Sequence, residues 1–143
     1  MKNIVEVNSW SALGPEARPI REQVFCIEQN IPKDLEWDEM DELSLHAIAR
    51  DASGRAIGTG RLLPDGHIGR MAVVASARGG GNGGRILETL VATARQRGHG
   101  AVVLHAQTAV VPFYLAHGFI AEGAEFMEAG IPHQTMRRTL APL

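Results

Sequence analysis

The chain has one cysteine in 143 residues, so no disulfide can form within it, and a reducing compartment suits it. That residue, Cys26, lies among Val24, Phe25 and Ile27 and reads as a small buried apolar side chain rather than a nucleophile. Long apolar runs are also missing. No stretch reaches the roughly 18 residues that a membrane span needs, and the start, Met1-Lys2-Asn3-Ile4-Val5-Glu6, lacks the apolar core of a secretion signal. A soluble cytoplasmic protein that does not engage a membrane is therefore expected. Charge of one sign is scarce as well: the net value of −2 gives no general pull toward nucleic acid. The six histidines show no pair at ligand spacing on one face, so no metal centre is expected. Repeats, linkers and low-complexity segments are absent apart from one glycine run. With 45% hydrophobic and 21% charged residues, the chain has an ordinary globular composition, and its length suits a single domain, residues 1–143.

The glycine run is Arg78-Gly79-Gly80-Gly81-Asn82-Gly83-Gly84, five glycines in seven positions. It follows an apolar stretch ending near Val74 and precedes an amphipathic one, Arg85 to Arg97. Each glycine costs roughly 0.5 to 1 kcal/mol in a regular element relative to alanine, so stability does not explain the run. A glycine loop opening a helix leaves several backbone N–H groups unpaired and aimed at one spot, with the positive end of the helix behind them. That arrangement suits a phosphate, and Arg78 and Arg85 are placed to meet one. A nucleoside triphosphate loop would need Lys and then Ser or Thr after its last glycine, but Gly84 is followed by Arg85-Ile86. Gly79, Gly81 and Gly84 satisfy the spacing of a dinucleotide fingerprint. The acid expected about 20 residues on is missing, since Val102 to Ala106 holds no carboxylate.

Arg78-x-x-Gly81-x-Gly83, placed after Arg70-Met71-Ala72-Val73, resembles the acyl-CoA loop of the GNAT superfamily of N-acetyltransferases. The likeness continues in order. Ala101 to His105 reads as a strand, and Gln107-Thr108-Ala109-Val110-Val111-Pro112-Phe113-Tyr114-Leu115-Ala116-His117-Gly118-Phe119 is similar to the family's second CoA segment, with its helical tyrosine and closing Gly-Phe. Val24 to Gln29, Asp38-x-x-Asp41, His46 and Gly130-Ile131-Pro132-His133 resemble the ElaA-type branch of small bacterial members. The resemblance implies an α/β fold of one mixed, mostly antiparallel sheet of about seven strands with helices on both faces. It implies acetyl-CoA as co-substrate, its pyrophosphate held by the amides of Gly79, Gly80, Gly81, Asn82, Gly83 and Gly84 with Arg78. Pantetheine would lie against Met71, Ala72 and Val73, with Gln107 and Phe113 nearby.

Taken in order, Asn3 to Asn8 alternates as a first strand. Pro15 and Pro19 bracket a helix start, and Ile20, Val24 and Ile27 mark a buried stripe running to Gln29 before Pro32. Residues 34–42, DLEWDEMDE, hold six acids in nine positions and read as a loop. They form either a solvated acidic loop or a negative rim that draws in a cationic amine, with Trp37 offering its ring face. Ser44 to Arg50 and Arg55 to Leu63 make a hairpin around Asp51-Ala52-Ser53-Gly54, and His67 to Val74 is the central strand. Ile86, Leu87, Leu90, Val91 and Ala94 form the buried stripe of the main helix, stopped by Gly98. Ala101 to Ala106 reads as a strand covered on both faces. Thr108 can cap a short helix over Pro112 to His117, and Phe119 to Glu128 with Gln134 to Leu140 forms a last antiparallel pair.

For acyl transfer, a backbone N–H of Met71 or Val73 can steady the thioester oxygen. The acceptor amine must lose a proton. His67, on the same strand face as Met71, is a candidate base, with Glu28 or a carboxylate of the acidic segment as competitors and a solvated, idle histidine as the plain alternative. Tyr114 matches the family tyrosine that faces the CoA sulfur and would hydrogen-bond the departing thiolate; otherwise it only packs. The resemblance puts Glu28 and Gln29 on the acceptor side. A non-catalytic acyl-CoA binder or sensor is the competing reading. The identity of the amine, small molecule or peptide, and the existence of a homodimer stay open.

Overall fold

The computed structural model describes Asn3 to Leu143; Met1 and Lys2, which open the segment weighed above for a secretion signal, lie outside the described residues. Alternating apolar side chains form β1 (Ile4–Ser9), whose last residue caps the next helix: the Ser9 hydroxyl accepts the Ala12 N–H at 3.3 Å. Helix α1 (Trp10–Arg21) thus starts before Pro15 and Pro19 and contains both. It continues without a break into a π-helical turn, Glu22–Glu28. This wider turn corrects the expected stripe. Val24 and Phe25 are buried, whereas Ile27 is rotated off the face and is 60% exposed. Cys26 is half-buried rather than buried.

The acidic segment is partly helical, with one turn, α2 (Lys33–Glu36), and a 3₁₀ turn at Glu39–Asp41 where a loop was expected. The hairpin follows as β2 (Leu45–Arg50) and β3 (Ala56–Leu62). Its turn is tied by Asp51, whose carboxylate accepts the amides of Ser53 and Arg55, both at 3.0 Å. Strand β4 (His67–Val73) leads through the glycine run into α3 (Asn82–Gln96), in which all five residues of the expected stripe are buried. Then come β5 (Ala101–Gln107) and α4 (Val111–Ala116). Thr108 opens a 3₁₀ turn here and caps nothing with its side chain. Beyond Gly118, the expected single strand is broken into β6 (Ile120–Ala121) and β7 (Phe126–Glu128), and both pair with the long β8 (Ile131–Thr139).

The eight strands make one sheet in the order β1-β2-β3-β4-β5-β8-β6, with β7 also on β8. Helix α3 covers one face, packing Ile86, Leu87, Leu90 and Val91 on Ala47, Ile57, Leu62 and Leu104. Helix α1 covers the other face over the N-terminal strands, packing Leu13, Ala17 and Ile20 on Ile48 and Ala72. β5 is buried on one face only. Val102, Leu104 and Ala106 point into the core, while His105 on the opposite face is exposed. The half of the sheet beyond β4 is not covered by α1, which corrects the expectation of a strand shielded on both faces.

All strand pairs are antiparallel except β4 with β5, and that pair is short: only His67 with Val103 and Ile68 with Leu104 are in register. β4 then leaves β5. The register of β3 with β4 shifts between Thr59 and Arg61, and Arg70 adopts a left-handed φ of 49°. This is the signature of a β-bulge, which bends a strand and re-aims its side chains. Gly60 faces the bulge because a Cβ there would lie 2.8 Å from Ile86 and 2.9 Å from Leu90.

Candidate active site

The opening between β4 and β5 is the mouth of a cavity of about 820 Å³, within the range of small-molecule sites. One wall is the free edge of β4. Val74 donates its N–H to Ile57 on β3 at 3.0 Å. By alternation along the strand, the N–H groups of Val73 and Met71 therefore face away from β3, into the opening. Met71, Ala72 and Val73 all line the cavity.

The glycine loop stands at one end. Gly79 and Gly81 have φ of 86° and 83°, a region that side-chain-bearing residues rarely adopt, and Gly81 caps α3. The six amides from Gly79 to Gly84 donate to no other group among the described residues. They are the free donors of a helix start, extended backward through a loop without Cβ atoms. The loop is braced from inside. Buried Asn82 donates to the Ala77 carbonyl at 3.0 Å and accepts from Arg85 at 3.0 Å, while Arg85 also donates to the Gly80 carbonyl at 2.9 Å. Arg85 thus holds the loop's shape and lies outside the cavity lining. Arg78 lines the cavity, donating to the Val73 carbonyl and to Glu28, both at 2.9 Å.

Tyr114, carried by α4, lies at the cavity wall beside Phe113. Its hydroxyl points at the Met71 sulfur, 3.9 Å away, and burial pushes its pKa up to about 12. The π-helical turn brings Glu28 and Gln29 to the opposite rim, where Gln29 accepts from Gln107 of β5 at 2.8 Å. His67 lines the cavity with its side chain partly exposed, but it does not share Met71's strand face as expected, because the bulge puts Met71 with Ile68 on the α3 side. Asp65 Oδ1 lies 3.0 Å from His67 Nδ1 but off the direction that a hydrogen bond requires.

The structure brings together Glu28, Gln29, His67, Met71, Ala72, Val73, Arg78, Gly83, Gln107, Phe113 and Tyr114 at this one cavity. Trp37 is elsewhere. It stacks under the Arg18 guanidinium, 4.1 Å from the ring centre, and meets Trp10 edge-on. The acidic segment is solvated only in part: Asp34, Glu39 and Glu42 are exposed, while Glu36, Asp38 and Asp41 turn to internal arginines. Glu36 and Asp41 bind buried Arg21, Asp38 and Asp41 bind buried Arg61, and Asp38 also binds Arg70. Burial works against the Asp38 carboxylate, yet the bonds and charge of Arg61, with the charge of Arg70, bring its pKa below the usual range. Sequence reasoning missed Arg61 and Arg70 as cavity residues, together with His105, Glu128 and His133. In the last group Glu128 lies 3.3 Å from His105 and 3.5 Å from His133. A dense acidic run in a near-neutral chain was a signal that buried cations would be needed.

The chain is similar to other proteins in both sequence and fold. The N-acetyltransferase YjcF of Bacillus subtilis, itself uncharacterised, is 39% identical over 123 residues, which is 83% of this chain and 87% of that one. The crystal structure of an acyl-CoA N-acyltransferase from Pseudomonas aeruginosa superposes with a TM-score of 0.86 at 28% identity, covering 96% of this chain and all of the other. Escherichia coli ElaA shares the fold, with a TM-score of 0.85 at 24% identity over 96% of this chain and 99% of its own. Residues 15–140 match the acetyltransferase (GNAT) domain, and the chain belongs to the GNAT family of N-acetyltransferases.

Proposed function

We propose that this protein transfers an acetyl group from acetyl-CoA to a primary amine by direct attack, both substrates being bound together. The observation that carries the reading is the row of unpaired amides from Gly79 to Gly84 beside the free edge of β4. The amides and Arg78 hold the diphosphate, and the pantetheine amides pair with Met71 to Val73 as an added strand would. The Met71 N–H faces the thioester oxygen, where negative charge develops during attack.

An amine of pKa about 10.4 arrives protonated at neutral pH, so a base must remove a proton first. His67 takes that role from its place on β4. Tyr114 keeps its proton throughout, because burial holds it at about 12. It serves the departing sulfur as a hydrogen-bond donor.

Acetyl-CoA should raise the melting temperature in a thermal-shift assay. Gly80→Glu is the diagnostic variant: Gly80 has no positive φ and nothing closer than 3.8 Å to an added Cβ, so the fold tolerates the change while a carboxylate enters the phosphate site. The shift should vanish in that variant. A wild-type protein unmoved by millimolar acetyl-CoA would rule the reading out.

A further inference from the structure

Three cations, Arg21, Arg61 and Arg70, meet three anions, Glu36, Asp38 and Asp41, beneath the acceptor side of the cleft. They do not use their N–H groups equally. Arg21, which is not part of the cavity wall, has a partner at each of its three guanidinium nitrogens. Its Nε bonds Glu36, its Nη1 lies 2.8 Å from Asp41, and its Nη2 donates to Asp41 at 3.2 Å and to the Glu36 carbonyl at 3.3 Å.

The two that line the cavity have donors to spare. Arg61, 5% exposed, bonds Asp38 at 2.6 and 3.2 Å and Asp41 at 3.1 Å, and its buried Nε has no partner. Arg70 donates Nε to the Glu36 carbonyl at 3.1 Å and Nη2 to Asp38 at 3.2 Å, while Nη1 has no acceptor among the described residues. Asp38, the acid that both arginines share, cannot take up this surplus. Asp38 already accepts three guanidinium bonds and the Met40 amide, filling the roughly four lone-pair sites of a carboxylate.

A buried donor with no acceptor, as at Arg61 Nε, is uncommon in a folded protein, and beside it the free Nη1 of Arg70 is not buried, on a side chain that lines the cavity. Arg70 is also held in an unfavourable backbone conformation, φ 49°, at the bulge that re-aims it, and it directly precedes Met71. Burial, then repulsion from Arg61, lowers the Arg70 pKa, with Asp38 only partly opposing this. An anion beside Arg70 would reverse that balance.

We infer that Arg70, backed by Arg61, binds an anionic oxygen group, carboxylate or phosphate, carried by the same molecule whose amine is acetylated. The inference rests on the N-acetyltransferase reading and narrows its acceptor. A planar guanidinium with free N–H groups recognises such oxygens in a fixed geometry, which a purely cationic amine cannot exploit.

Matched acceptor pairs test this with the unmodified protein. Free-CoA release from acetyl-CoA is followed for a set of amino acids against their α-amides, and for phosphoethanolamine against ethanolamine. The anionic member of at least one pair should show kcat/KM at least tenfold above its neutral counterpart, and the responding pair names the anionic group. Arg70→Gln should reduce that preference at least tenfold, mainly through KM. Turnover with no preference for either anionic member overturns the inference and leaves the acetyltransferase reading standing. A preference in the wild type that Arg70→Gln lowers equally for both members also overturns it, because a strut that only supports α2 would act that way. No CoA release with any amine, together with no thermal shift by acetyl-CoA, overturns both.

Discussion

Tyr114 and His46 show how one neighbourhood sets a residue's chemistry. Among the described residues the Tyr114 hydroxyl meets only the Met71 sulfur, whereas its ring packs on Phe113 and Phe119. Tyr114→Phe keeps the ring contacts, so the melting temperature should hardly move. If Tyr114 is the donor to the departing thiolate, as proposed, its loss should lower kcat by about 10²-fold. His46 lies under Trp10, and its Nε2–H donates to the Asp41 carbonyl at 2.9 Å, anchoring the acidic segment to β2. Burial lowers its pKa from 6.5, with the charges of Arg21 and Arg61 adding to the effect and Asp41 opposing it. The folded state therefore favours the neutral ring, and the unfolded chain binds the proton more readily. The stability contributed by neutral His46 is complete above about pH 6.5 and falls as the pH drops toward the lower folded value. The urea midpoint should decline through that window, and His46→Gln should show a shallower decline.

At the level of elements, the contact of α3 with β3 and the bulge of β4 are one device. Gly60 lets Ile86 and Leu90 approach the backbone of β3, and it faces the bulge that directs Arg70 into the cavity. A Cβ at 2.8 Å from Ile86 and 2.9 Å from Leu90 forces those side chains to shift on α3, whose first residues form the glycine loop. Gly60→Ala should cost about 1 to 3 kcal/mol in chemical denaturation and weaken acetyl-CoA binding as well. The π-helical turn after α1 works at the same level. It keeps Val24 and Phe25 in the core and delivers Glu28 and Gln29 to the rim, where they hold Arg78 and Gln107.

In the whole molecule, one sheet is joined at its centre by two registered residue pairs between β4 and β5, and the cavity is the gap that follows. Amides of the glycine loop beside that gap have no partner among the described residues, and those of Met71 and Val73 face away from β3. Hydrogen exchange should accordingly be fast at Met71, Val73 and Gly79 to Gly84 in the free protein. Acetyl-CoA should slow exchange at these positions together, while the β1–β2 and β5–β8 ladders change little. Protection of only one of the two groups would separate loop from strand and contradict a single extended ligand.

The order of elements, the buried stripe of α3 and the glycine loop could be read directly from the chain. Each depends on a local property: periodicity, a cap, or a backbone that tolerates no Cβ. The β2–β3 hairpin belongs with them, since Asp51 and Gly54 make its turn within a few residues. The destiny of the acidic segment could not be read in this way. Asp41 meets Arg21 and Arg61 each across 20 residues, and Glu36 and Asp38 meet Arg70 across 34 and 32. The same distance hid the displacement of Trp37 onto Arg18 and the splay of β4 from β5. Sequence alone fixed where free amides would gather, because a glycine run states its own conformation. Only the folded chain decided which charges are neutralised inside and which still face the cavity, because a charge takes its meaning from partners that folding brings to it.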